Sequence, residues 1–180
     1  MPPLILSTAL PTTLSTTPPP VRPAAPAGRA RRWLAGLALA GAALPALAAS
    51  TLPGATDLGA QGREATRRGG PLVLLLSLPG CGYCETVRRN YLGPMAAAGE
   101  ITARELDIGT DAPLRDADGT MTGARAWARA RGLAFAPTVL FLDAHGREAA
   151  PPLRGLQPDF YGAYLEQRLE AARAALAGPR

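Results

Sequence analysis

The sequence predicts an α/β domain whose elements follow the order βαβαββα. Two observations carry this. Two runs of strand length are apolar almost throughout, "PLVLLLSL" (Pro71–Leu78) and "PTVLFLD" (Pro137–Asp143). Such runs suit strands buried on both faces, as in a parallel sheet. Between and beyond them lie segments with helical spacing and cap residues, so strands alternate with helices.

Taken in order, residues 49–70 are small, polar and Gly-rich, with a helix expected over 57–68. Pro71–Leu78 is the first strand. A helix follows over 82–98, kinked at Gly93-Pro94, because proline lacks the N–H and its ring crowds the preceding turn. "ITARELDI" (Ile101–Ile108) is the second strand. "GTDAPLRDADGTM" (Gly109–Met121) reads as a polar loop with turn residues throughout. A short helix comes next, with Thr122 as N-cap, Trp127 on its buried face and Gly132 at its end. Pro137–Asp143 is the third strand. "AHGR" (Ala144–Arg147) is a hairpin turn, and a weaker fourth strand runs toward Leu153. The last helix starts near Pro158-Asp159. Its apolar face is Phe160, Tyr164, Leu165, Leu169, Ala172 and Leu176.

A chain of 180 residues that is 47% hydrophobic fits one globular domain. Its first 26 residues differ: they hold eight prolines and build no core. "RARRW" (Arg29–Trp33) then forms a positive n-region before 16 apolar residues, Leu34–Ala49, which is short for a span that needs about 20. "ALA" (Ala46–Ala48) matches a cleavage pattern. A cleavable signal peptide ending before Ala49 is expected, with a periplasmic or secreted destination. An uncleaved anchor is the alternative, and Arg31-Arg32 leaves twin-arginine export open. The boundaries are 1–48 for the Pro-rich leader and signal peptide, 49–70 for an N-terminal extension and 71–178 for the folded domain.

The formal charge of +5 belongs to the leader. Four of the 19 arginines lie in residues 1–48, which hold no Asp or Glu, so the remaining 15 face all 14 acids. No basic patch argues for nucleic acid.

Cys81 and Cys84, in "SLPGCGYCETV" (Ser77–Val87), are the only cysteines. A ring this small closes almost no loop, so its contribution to stability is minor. Structural zinc wants four Cys or His ligands. This chain has two Cys and His145, which reads as an exposed turn residue. "DADG" (Asp116–Gly119) is similar to the start of a calcium loop but lacks the later oxygen positions and the closing Glu. No metal is expected. Redox chemistry has positive support. Cys81 ends a buried strand and Cys84 lies in the first helical turn. Unpaired N–H groups and the helix dipole there lower a thiol pKa from about 8.5 into a range of about 3.5–7.5. The spacing also lets the second sulfur resolve a mixed disulfide on the first.

From about Pro71 to Leu176 the chain resembles the thioredoxin superfamily. "CGYC" after an apolar strand is one motif. "FAPTVLFLD" (Phe135–Asp143) is the other, similar to the family's segment with a cis-proline followed by Thr and a strand. The resemblance implies a thioredoxin fold, a four-stranded mixed central sheet with helices on both faces. It makes Cys81 the attacking thiolate and Cys84 the resolving thiol. Pro137 becomes the cis-proline beside the disulfide, and Ala136 offers its backbone to substrate, with Gly82 and Tyr83 also facing it. The "PxCxYC" style, the polar insertion and "PTxxFLDxxG" are similar to secreted bacterial thioredoxin-like proteins, including those found with sulfur-oxidation systems. Gly82-Tyr83 also resembles the dipeptide of periplasmic disulfide isomerases, but residues 49–70 are too few for their dimerisation domain, and a monomer is expected.

The chain departs from cytosolic thioredoxins in three places. Gly80 stands where they have Trp, Leu75 where they have a buried Asp, and there is no lysine for their buried Lys. The missing proton acceptor implies a narrower substrate range. Glu85 as a replacement base competes with Glu85 as an exposed helical residue. Arg88 and Arg89 as thiolate stabilisers compete with a solvated helix face, which is the plainer reading.

The expected function is a periplasmic thiol–disulfide oxidoreductase that reduces substrate disulfides. Its partners are protein thiols and disulfides and a membrane thiol-reductant transporter, and it uses no cofactor. The rivals are a disulfide oxidant or isomerase, and a non-enzymatic thiol chaperone for a haem or metalloprotein precursor. The absence of His from the CxxC dipeptide argues against a strong oxidant. Direction is set by reduction potential.

Overall fold

The computed structural model describes residues 51–157 and 159–178. The expected leader, signal peptide and cleavage site lie outside the described residues, as does Pro158.

Every residue of β1 (Leu72–Ser77) is buried, as a run apolar on both faces requires. It sits inside a sheet of order β2-β1-β5-β6. β2 (Thr102–Asp107) pairs with it in parallel. β5 (Thr138–Leu142) pairs with it antiparallel, and β6 (Glu148–Arg154) pairs antiparallel with β5. Side chains alternate across a strand, so β1 feeds two cores. Leu72, Leu74 and Leu76 meet Leu58 and Ala65 of α1 (Leu58–Arg67) and Trp127 of α4 (Ala124–Ala130). Val73 and Leu75 meet Val87 of α2 (Gly82–Val87) and Tyr161, Leu165 and Leu169 of α5 (Tyr161–Ala177). This is the thioredoxin fold that the resemblance implied, a mixed four-stranded sheet with helices on both faces. Leu52, Ala55, Leu58 and Ala65, from the segment before β1, are buried in the same two cores.

The expected kinked helix over 82–98 is a helical stretch in three parts. α2 runs into a π-helical turn, Arg88–Leu92, and then into α3 (Gly93–Ala97). The N–H of Gly93 donates to the carbonyl of Arg88, five residues back. The wider turn comes just before Pro94, which has no N–H to give, and it takes the place of a sharp kink.

Two expectations are corrected. The polar loop Gly109–Met121 holds a small hairpin, β3 (Pro113–Arg115) against β4 (Met121–Gly123). Leu114 anchors it, fully buried under α1 and α4. Three residues are too few for an alternating pattern to show in the sequence. Thr122 therefore lies in β4, opposite Leu114, and Gly123 takes the N-cap position of α4. The helix ends ahead of Gly132 as expected. The second correction is the face of α5. Tyr161, Leu165, Leu169 and Ala172 are buried, while Phe160 and Tyr164 are 62% and 41% exposed. Phe160 precedes the first helical residue, so the helical repeat does not set its direction, and the face moves by one position.

Candidate functional site

At the end of β1 the chain turns sharply. The N–H of Cys81 donates to the carbonyl of Leu78 at 3.2 Å. Pro79 and Gly80 occupy the corner, and Gly80 has φ +70°. Proline followed by a residue at positive φ matches a type II turn, where glycine is favoured. Gly109 lets the corner seat closely: a Cβ there would stand 2.7 Å from Cδ of Pro79. The turn delivers Cys81 to the N-cap of α2, where its Sγ accepts the N–H of Cys84 at 3.1 Å. The two sulfurs are bonded, with S–S 2.01 Å and Cα–Cα 5.2 Å. Cys81 is half-buried and Cys84 fully buried.

Sheet register brings the second predicted motif to the same place. Leu76 pairs with Thr138, so the segment entering β5 lies at the end of the sheet from which Cys81 leaves. The Ala136–Pro137 peptide bond is cis. Pro137 is buried and Ala136 half-exposed. Thr138 Oγ1 donates to the carbonyl of Phe135 at 2.8 Å, and the N–H of Gly155 donates to the carbonyl of Pro137 at 2.8 Å. Gly82 is exposed, and Tyr83 is 67% exposed. Phe135 and Leu78 add exposed apolar surface at this end. Cys81, Cys84, Gly82, Tyr83, Ala136 and Pro137 therefore belong to two neighbouring segments at one end of the sheet.

Glu105, which joins Glu85 and Arg88 in a charged network beside the cysteines, escaped the sequence reading. A groove of about 460 Å³ is lined by Cys81, Gly82, Glu85, Arg88, Glu105 and Asp107. Arg88 forks onto Glu105, with Nε to Oε2 at 2.7 Å and Nη2 to Oε1 at 2.6 Å, and also donates to Glu85. The hydrogen bond to Glu105 is the main cause that holds Arg88 above the usual arginine range. Burial opposes it, and the charges of Glu105 and Glu85 add to it. The expectation of a solvated helix face thus fails for Arg88, whose side chain is 17% exposed. Arg89 stays exposed, 3.6 Å from Glu85. Glu105 pairs with Leu75 in the β1–β2 register. A carboxylate therefore stands one strand away from the position where cytosolic thioredoxins carry theirs. The available signals were the i, i+3 spacing of Glu85 and Arg88 and the alternation of Ala103, Glu105 and Asp107. Neither names a partner across strands.

His145 is exposed in the β5–β6 turn, at the other end of β5 from Pro137. The Asp143 carboxylate beside it accepts the N–H groups of His145 and Arg147 and the Arg147 guanidinium. The "DADG" oxygens are likewise used within the protein. Asp116 accepts from Trp127 Nε1 at 3.0 Å, from the Ala117 N–H and from Arg131, which ties the small hairpin to α4.

Residues 58–171 match the family model of the thioredoxin-like domain. No curated protein matches the chain. Among solved structures, the chain is similar to thioredoxin O2 from Arabidopsis thaliana in the oxidized state, at 16% identity over 66% of this chain and 94% of that one, TM-score 0.44. It is also similar to a thioredoxin-fold protein from Helicobacter pylori, at 17% identity over 60% and 83%, TM-score 0.39. Thioredoxin NaTrxh from Nicotiana alata stands at 16% identity over 67% and 98%, TM-score 0.41.

Proposed function

The chain belongs to the thioredoxin-like family, and from that premise we propose that it is a thiol–disulfide oxidoreductase that reduces substrate disulfides. The observation that carries the reading is the unequal exposure of the pair, a half-buried Cys81 at the N-cap of a helix and a fully buried Cys84 behind it. In the reduced protein the Cys81 thiolate attacks one sulfur of a substrate disulfide. A Cys81–substrate bond forms, the substrate S–S bond breaks, and the other half leaves as a thiolate that takes a proton from water. Cys84, losing its proton, then attacks Sγ of Cys81. The second substrate thiolate leaves and is protonated, and the protein ends as the Cys81–Cys84 disulfide. Two electrons and two protons have passed to the substrate, and a dithiol reductant must return them.

Gly82, Tyr83 and the Ala136 backbone meet the substrate in this reading, and the exposed rings of Tyr83 and Phe135 support that surface. The leader pattern supports work in the periplasm, with a membrane thiol-reductant transporter as the dithiol source, and residues 49–70, too few for a dimerisation domain, support a monomer.

Trapping tests the roles. Cys84→Ser should accumulate substrates bound to Cys81 as mixed disulfides, and Cys81→Ser should not. Equal trapping by both would defeat the assignment. The reduction potential, measured against glutathione, tests the direction. A value well above that of the compartment would make the protein an oxidant instead.

A further inference from the structure

We propose that the cavity between the end of β6 and α5 is a carboxylate subsite for the substrate, which rests on the reductase reading above. The cavity has a volume of about 250 Å³ and is lined by Arg154, Gly155, Gln157, Tyr161 and Arg168 among others. Two polar atoms of residues that line it, Tyr161 Oη and Arg168 Nε, are buried without a hydrogen-bond partner. Tyr161 is 1% exposed. Neither Arg154 nor Arg168 has an acidic partner among the described residues, although eight other arginines do. Buried donors left unpaired are costly, so each one asks for an acceptor. Arg154 is exposed and adds a second positive charge to the lining. A guanidinium N–H and a phenolic O–H are donors that an anion satisfies well, and arginine's planar fork matches a carboxylate. Burial, with the neighbouring Tyr91, pushes the Tyr161 hydroxyl well above the usual tyrosine range, so it remains a donor.

The place of the cavity ties it to the dithiol. Thr138 pairs with Leu76 on β1 and with Arg154 on β6. Arg154 thus stands two strand spacings, about 10 Å, from the strand end that delivers Cys81. Gly155 bonds the carbonyl of Pro137 directly. Tyr161, which lines the cavity, also shares its core with Val87 of α2, on the face of the sheet that carries the dithiol helix. The ligand is therefore a disulfide peptide with a carboxylate, either an acidic side chain or a C-terminus, within a few residues of the reacting cysteine.

The test uses three mixed disulfides of a cysteine peptide with thionitrobenzoate, with dithiothreitol as reductant. They differ only three residues from the cysteine: a Glu, a Gln, or a chain ending there as a free acid. The wild-type protein should favour the Glu or acid peptide over the Gln peptide about 10-fold in kcat/KM. Which of the two wins distinguishes side chain from terminus. In Arg168→Gln and in Arg154→Gln/Arg168→Gln the ratio should fall toward one. A wild-type ratio near one, or a ratio kept in the double variant, overturns the subsite. If no peptide is reduced, the reductase reading fails, and the subsite is judged by NMR titration of the oxidised protein. There N-acetylglutamate should shift amides at the start of α5 and N-acetylglutamine should not, and equal responses overturn the proposal.

Discussion

Arg88 and Glu105 offer a test with opposite signs. Glu105→Gln removes an anion from the groove beside Cys81, and Arg88→Met removes a cation. The groove volume of about 460 Å³ corresponds to a sphere roughly 10 Å across, which sets the length scale for the separation of the groups that line it. A unit charge about 10 Å away contributes about 0.4–1.7 kcal/mol for an effective dielectric between about 80 and 20. That is roughly 0.3–1.2 pH units. Glu105→Gln should therefore lower the Cys81 pKa by about that much, and Arg88→Met should raise it. The double variant should return near the starting value. The assay is the rate of iodoacetamide alkylation of the reduced protein against pH, read from the fast phase at about 10 mM salt, where screening is weak. The same variants close a stability cycle. Two charge-assisted hydrogen bonds at roughly 1.5–3 kcal/mol each set the upper bound. The side chains are 17% and 16% exposed, and Glu85 remains as a second partner, so a coupling of about 2 kcal/mol is expected. Shifts of the same sign in both single variants, or a coupling below about 0.5 kcal/mol in urea unfolding, would refute the reasoning.

Three further outcomes follow from the same contacts. Tyr161→Phe removes a buried hydroxyl with no partner and should stabilise the oxidised protein by about 1 kcal/mol, a rise of about 2–4 °C in Tm by calorimetry. An unchanged or lower Tm would show that the hydroxyl is satisfied. Tyr161 is held above its usual range, so its contribution is present below about pH 10 and is lost as pH rises further. Tyr161→Phe should flatten that alkaline loss. At the acid end, burial raises Asp116 and Asp143, but hydrogen bonds outweigh it, from Trp127, Ala117 and Arg131 for Asp116 and from Arg147 and His145 for Asp143. Both end below the ordinary value. Their contribution is present above about pH 3.9 and lost as pH falls through the folded values. Asp116→Asn should weaken the pH dependence of urea stability below about pH 5, and an identical slope would count against it.

The runs Pro71–Leu78 and Pro137–Asp143 were legible because burial on both faces leaves a local mark: every position must be apolar. The dithiol and the Ala136-Pro137 segment were legible for a similar reason, since each motif is contiguous in the chain. Leu114 shows the limit. One buried leucine in a polar stretch carries no period, and only packing under α1 and α4 makes its neighbours a hairpin. Tyr161 shows another. Phe160 and Tyr161 are both aromatic, and the point at which α5 begins decides which of them enters the core. Charge partners across strands were out of reach. "TARELDI" displays Glu105 but not that parallel register sets it beside Leu75 and under Arg88. The sequence by itself determined the two central strands and which two sulfurs are paired, because both follow from local composition and spacing. The tertiary structure alone decided which charges surround those sulfurs and which residues of β6 and α5 line one cavity, because such contacts join residues far apart in the chain.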